Sequence, residues 1–270
     1  MTRVVILAPV DNSPFSRAIA ALTHAEPGLE LAGIVVRKIL NPKRLRSELR
    51  RDGVRLVRKA WKKLVLGSED GVAEDERGFN DVAREAGMER IGLSAFAKRE
   101  GIPCVRVGDH NDAETLAALV SMEPTVVAFT GGGIIRPPLI EASGQGIFNT
   151  HMGVLPAYRG MDVVEWPILE DRQVSVGLGV SLHFMDKGID TGPVAKVVQV
   201  PIRPGDSVER LRKRFEPVIV EAMMDGLCMT RDGELALQLQ RDEDGRQYYV
   251  MHPRFYDQVK RRLADRLSKP

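Results

Sequence analysis

The segment FNTHMGVLPAYRG, residues 148–160, sets an asparagine and a histidine one residue apart. On a strand, Asn149 and His151 project from the same face, because side chains there repeat every second residue. An N-x-H pair alone is weak, since polar pairs on strands are commonly satisfied by neighbouring backbone. Three further features strengthen it. Gly153 and Pro156 cannot comfortably continue a central strand, so His151 falls at a strand end. The loop MDKGIDTGPV, Met185 to Val194, offers Asp190 between glycines after the apolar run GLGVSLHF. FTGGGIIRPP, Phe129 to Pro138, places three glycines directly after another apolar run and so exposes backbone donors and acceptors to a flat ligand. Together these supply an amide donor, an imidazole, a carboxylate able to orient or charge it, and a backbone-lined slot.

The elements that must hold these groups alternate. Arg3 to Leu7, Leu29 to Val36, Cys104 to Val107, Thr125 to Phe129 and Gly146 to His151 read as strands, with helices at Pro14 to Thr23, from Asn111 to near Met122, and after Arg136. This pattern predicts an α/β fold with a doubly wound, mostly parallel sheet, which keeps ligands beyond the carboxyl ends of its strands. The first strand-helix turn, APVDNSPFS, has no glycine, against a dinucleotide fingerprint and hence against a nicotinamide oxidoreductase. No Walker motif or nucleophile elbow occurs, and His24, His110, His183 and His252 lack metal-ligand spacing, so no metal is expected. His183, in a hydrophobic run, reads as a structural histidine.

The 270 residues, 43% hydrophobic and 28% charged, provide ample material for a core, and the net charge of +2 does not demand a nucleic-acid or membrane partner. Cys104 and Cys228 suggest neither a disulfide framework nor a zinc knuckle, and no run approaches the roughly 18 apolar residues of a membrane span. A cytoplasmic location is therefore expected.

Two regions break the alternation. Arg37 to Lys63 is dense in arginine and lysine against only Glu48 and Asp52, with Leu45, Leu49, Val54, Trp61 and Leu64 at near-helical spacing. It predicts a basic amphipathic helix pair inserted at about 37–90, with an acidic counterpart at Glu69, Asp70, Glu74, Asp75, Glu76 and Asp81. A solvated helical excursion is the favoured reading, with a polyanion or nucleic-acid contact as the alternative. After Asp206, Ser207 caps a helix reaching Met224, ELALQLQ and RQYYVM read as a β-hairpin around Asp242 to Gly245, and a basic helix starts near Pro253. The expected division is a domain at 1–205 and a helix-hairpin-helix extension at 206–270.

FNTHMGVLPAYRG, Trp166 and GLGVSLHFMDKGIDTGPV together resemble the signature of the folate-dependent formyltransferases, closely over about 100–205 and loosely over the first 36 residues. The resemblance implies a Rossmann-like catalytic domain of one-carbon metabolism that moves a formyl group from 10-formyl-tetrahydrofolate to a primary amine. It implies that Asn149, His151 and Asp190 form the catalytic triad, with Asn149 and a charged His151 aimed at the formyl oxygen and Asp190 favouring that charge. Folate contacts fall on Phe129, Gly132, Gly133, Ile134, Ile135, Met185, Asp186, Lys187 and Ile189, and acceptor contacts on Asn12, Ser13, Gly153, Leu155 and Arg159. Gly153-Val154 stands where the family commonly has Ser-Leu. The expected acceptor is a small-molecule amine, such as a nucleotide-linked amino sugar. A methionyl-tRNA formyltransferase-like enzyme and a non-catalytic polyanion- or RNA-binding protein on the same fold are the alternatives, and an oligomer is compatible with either.

Overall fold

The computed structural model describes residues 1–38, 75–131 and 133–267. The basic stretch from Lys43 to Lys63, the acidic residues Glu69, Asp70 and Glu74, and Gly132 lie outside the described residues.

The chain begins with β1 (Thr2–Ala8), α1 (Pro14–Ala25) and β2 (Leu29–Arg37), and resumes with α2 (Phe79–Glu85), α3 (Leu93–Glu100) and β3 (Cys104–Val107). Then follow α4 (Ala113–Met122), β4 (Val126–Phe129), α5 (Pro137–Glu141), β5 (Ile147–His151), β6 (Tyr158–Gly160) and α6 (Glu165–Leu169). β7 (Gly179–Phe184), β8 (Val194–Gln199), α7 (Val208–Asp232), β9 (Arg246–Tyr248) and α8 (Pro253–Leu267) complete it. Seven strands form one sheet in the order β3-β2-β1-β4-β5-β7-β8. The first five are parallel, and β7 reverses against β5 and β8 against β7.

Burial on both faces explains the near-continuous apolar strands. In β1, Val4, Ile6 and Ala8 join the core beneath α1, α3 and α7, while Val5 and Leu7 join a second core with Leu119, Met122 and Leu139 of α4 and α5. The mostly parallel, doubly wound sheet expected from the sequence is present. Ser13 Oγ caps α1 by accepting the Ser16 N–H at 3.3 Å, and Ser207 Oγ caps α7 by accepting that of Arg210 at 3.2 Å. α7 outruns the predicted end at Met224 and stops at Gly233, whose φ of 70° closes the helix. Within that added length Gly226 lets the helix lie close on the sheet, since a Cβ there would stand 2.5 Å from Leu182. No described helix is long and apolar enough to cross a membrane.

The predicted hairpin does not form. Of ELALQLQ only Gln238 makes a bridge, to Val194 at the start of β8, and Leu239 is 78% exposed. RQY instead becomes β9, parallel to β6. Aromatic burial decides this: Tyr248 stacks on Tyr158 with ring centroids 4.9 Å apart, and both hydroxyls donate to Glu170, at 2.9 and 2.8 Å.

Candidate functional site

Asn149 and His151 share one face of β5 with Ile147, as the two-residue period requires. Ile147 sits in the core under α5, and the next two positions meet polar groups. β7 runs antiparallel with His183 opposite Asn149, and the loop after it returns Asp190 to the same spot.

His183 Nδ1 donates to the Phe184 carbonyl at 2.8 Å, so the lone pair on Nε2 accepts an Asn149 amide hydrogen at 3.1 Å. The second hydrogen of that amide has no protein partner among the described residues. His151 Nε2–H donates to the Tyr158 carbonyl at 2.8 Å, which turns Nδ1 toward Asp190 Oδ2 at 3.4 Å. Asp190 Oδ1 stands 3.5 Å from His183 Nε2, and Oδ2 accepts the Gly160 N–H at 2.9 Å. β6 thus supplies a carbonyl to the imidazole and an amide to the carboxylate. Ser181 ties in the intervening loop, donating to the Gly153 carbonyl at 2.7 Å and accepting the Leu155 N–H at 3.0 Å.

Burial pushes the Asp190 carboxyl up, but the neighbouring His183 and His151 rings and the Gly160 N–H lower it by more and hold it at about 2. For His151, 7% exposed, burial pulls the pKa below 6.5 against the raising pull of Asp190 and the Tyr158 carbonyl. In the free protein burial therefore opposes the charged His151 imidazole expected from the sequence. A neutral imidazole beside an aspartate fixed as an anion can receive a proton on its ring, and the carboxylate stabilises the resulting charge.

The neighbouring slot follows β4. Phe129, Ile135 and Met185 belong to one apolar cluster, while Ile134 and Ile189 are 73% and 43% exposed. Gly131 and Gly133 adopt φ of 107° and 118°, a conformation that favours glycine. Asn111 pins this loop, donating to the Ile134 carbonyl and accepting the Arg136 N–H, both at 2.8 Å. Asp186 accepts from Gly188 N and Thr191 Oγ1 at 2.9 and 2.7 Å, shaping the facing turn, and Lys187 is exposed.

The residues expected to contact an acceptor are dispersed. Ser13 caps α1, and Asn12 is exposed. Beside it, Asp11 Oδ1 accepts Ser94 N and Oγ at 2.9 and 2.5 Å, filling the start of α3 with a carboxylate. Leu155 is buried. Arg159 is also buried, its Nε donating to Gln240 Oε1 at 3.2 Å and its Nη2 to the Arg241 carbonyl at 2.9 Å. At Gly153 an added Cβ would stand 2.7 Å from His151 Nε2 and 2.8 Å from the Tyr158 carbonyl oxygen, so the His151 ring occupies room that a side chain would claim. Among the described residues, no three His, Cys, Asp or Glu are grouped to hold a metal ion.

Sequence reasoning missed His183, Ser181 and Asn111. The first two alternate along GVSLHF, and that spacing is the one signal that puts both on a single face.

A model of the family described as formyl transferase matches residues 71–227, starting earlier and ending later than the span of close resemblance read from the sequence. The methionyl-tRNA formyltransferase of Chlorobium phaeovibrioides (strain DSM 265 / 1930) is 26% identical over 157 residues, 58% of this chain and 48% of that protein. The chain spans about half the length of the curated relatives it matches. A sugar N-formyltransferase from Shewanella sp FDAARGOS_354 has a similar fold, with TM-score 0.56 at 15% identity over 97% of this chain and 88% of that one. So does an N-formyltransferase from Helicobacter canadensis solved with folinic acid and dTDP-3-aminofucose, with TM-score 0.55 at 16% identity over 93% of this chain and 71% of that one. The family match takes in more than half of the chain, including Asn149, His151, His183 and Asp190: the chain belongs to the formyl transferase family.

Proposed function

We propose that the protein transfers a formyl group from 10-formyl-tetrahydrofolate to a primary amine of a small molecule. The observation that carries this reading is the convergence of Asn149, His151, His183 and Asp190 on one sheet face within the family segment. The slot suits a flat heteroaromatic donor: Gly131 and Gly133 leave backbone groups open, exposed Ile134 and Ile189 offer apolar contact, and Asn111 holds the loop. Bound there, the folate supplies the formyl carbon that an amine attacks.

The protein's own groups then have separate tasks. Asn149 directs its unpaired amide hydrogen at the formyl oxygen as negative charge builds on it, while His183 fixes the amide's orientation. His151 Nδ1, the ring nitrogen not committed to the Tyr158 carbonyl, accepts the proton that leaves the amine, and Asp190, anionic at neutral pH, stabilises the imidazolium so formed. Phe129, Ile135 and Met185 line the donor slot with the Asp186–Ile189 turn. On the acceptor side this reading keeps the exposed Asn12 of the turn after β1. Residues 1–205 constitute the catalytic domain on this reading, and 206–270 the extension that braces it.

The preferred acceptor is a nucleotide-linked amino sugar. The Helicobacter canadensis protein, which shares this fold, was solved with such a compound and a folate. Glycinamide ribonucleotide is disfavoured because Asp11 puts a carboxylate on the α3 start, beside the turn where a phosphate would need donors. The test is incubation of the protein with 10-formyl-tetrahydrofolate and a panel of amines, comprising nucleotide-linked amino sugars, glycinamide ribonucleotide and methionyl-tRNA, followed by mass spectrometry. A product heavier by one formyl group from an amino sugar supports the reading. Transfer to none of them, with no 5-formyl-tetrahydrofolate binding at millimolar ligand, overturns it.

A further inference from the structure

We propose that Gln240, in the segment after α7, is a positioning residue that holds the Asp190 loop in register for formyl transfer. The inference rests on the formyl-transfer reading and extends its machinery into a part of the chain to which sequence reasoning gave no role in the site.

The geometry is specific to an amide. Gln240 Nε2 donates to two carbonyl oxygens of the Asp190 loop, Asp190 O at 3.0 Å and Gly192 O at 2.6 Å. Its Oε1 accepts from Arg159 Nε at 3.2 Å. Arg159 belongs to β6, whose next residue, Gly160, donates its N–H to the Asp190 carboxylate at 2.9 Å. One side chain therefore joins the loop carrying the carboxylate to the strand that grips it. The anchorage is rigid on either side: Gln238 exchanges both backbone hydrogen bonds with Val194, at 2.8 and 2.9 Å, and Arg159 Nη2 donates to the Arg241 carbonyl at 2.9 Å.

The loop needs such support. Asp190 has φ of 54°, a left-handed conformation that aspartate tolerates better than most residues but that is still less favourable than the extended and right-handed regions. The carbonyl of that same residue is one of the two that Gln240 holds. Without the amide, the peptide groups of Asp190 and Gly192 lose their side-chain donor, and the carboxylate can drift from His151, His183 and Gly160. Supporting side chains of this kind set how closely a reacting group keeps its productive geometry.

The experiment compares wild type with Gln240→Ala and Gln240→Glu. Glutamate keeps an oxygen for Arg159 but has no hydrogens for the Asp190 loop, so it separates bracing of Arg159 from positioning of Asp190. Three quantities are read: kcat and KM for 10-formyl-tetrahydrofolate with an amino-sugar acceptor, the ¹³C-carboxyl NMR titration of Asp190, and urea stability. Both variants are expected to lose on the order of 10- to 100-fold in kcat with KM for the folate unchanged. In both, the Asp190 carboxyl is expected to titrate higher than the wild type's value of about 2. Wild-type kcat in Gln240→Glu, or an Asp190 titration that stays at the wild-type position, overturns the proposal. If wild type transfers no formyl group the functional reading fails by itself, and the Asp190 titration still decides whether Gln240 positions the carboxylate. Should Gln240→Ala fail to fold, Gln240→Glu carries the test.

Discussion

Replacing Asp190 by asparagine keeps the side chain's shape and removes its charge, which isolates what the site does to that charge. In the folded protein the carboxyl titrates at about 2, against 3.8 for an unperturbed aspartate. Its side chain is 13% exposed, so water screens it little. The difference corresponds to about 2 kcal/mol of stability at neutral pH. Because the folded value is the lower one, this contribution is fully present above 3.8 and is lost as pH falls through the folded value. Urea unfolding of wild type and Asp190→Asn, followed from neutral pH down to about pH 2, reads the effect as a gap of about 2 kcal/mol that closes in acid. A gap of the same size at every pH would instead place the loss in shape or packing, and not in a carboxylate held beside two imidazoles and a backbone amide.

Asn149→Ala and His151→Ala should each lower the rate of formyl transfer by on the order of 100-fold or more, while calorimetry with 5-formyl-tetrahydrofolate shows binding retained. Since burial sets the His151 pKa below 6.5, kcat/KM should be flat at neutral pH and fall only where the ring becomes protonated in the free enzyme, with a midpoint below 6.5 in a pH-rate profile. Gly153→Ala should displace the His151 ring, because a Cβ would meet it at 2.7 Å with the backbone carbonyl of Tyr158 and the Val163 side chain both at 2.8 Å on the other sides; a His151 ring NMR spectrum identical to wild type would count against the turned-in position. Arg212→Ala should cost about 3 kcal/mol in urea unfolding, since Glu165 is fully buried and its Oε1 and Oε2 accept from Arg212 at 2.6 and 2.8 Å.

The groups named from the sequence were those whose spacing survives folding unchanged. Asn149 and His151 share a face because any strand alternates, and β1 and β2 announce themselves as apolar runs buried on both sides. His183 escaped because its role depends on lying opposite Asn149, and nothing local in GVSLHF says that β7 turns antiparallel to β5. The Tyr158 carbonyl and the Gly160 amide escaped for another reason: backbone atoms carry no residue signature, and they reach His151 and Asp190 only once β6 is in place. β6 in turn is held by β9, whose sequence reads locally as half of a hairpin. The stacking of Tyr248 on Tyr158, a contact between distant parts of the chain, overrides that local preference and frees the segment around Gln240 to reach the Asp190 loop.

A formyl group presented by the folate slot is expected to lie against Asn149 and His151. NMR of the protein with 5-formyl-tetrahydrofolate carrying a ¹³C-labelled formyl group checks this placement through nuclear Overhauser contacts from the formyl proton. The expected result is contacts to the Asn149 side-chain amide and the His151 ring, each lost at the substituted position in Asn149→Ala and His151→Ala while the ligand remains bound. A bound ligand whose formyl proton contacts neither residue would contradict it.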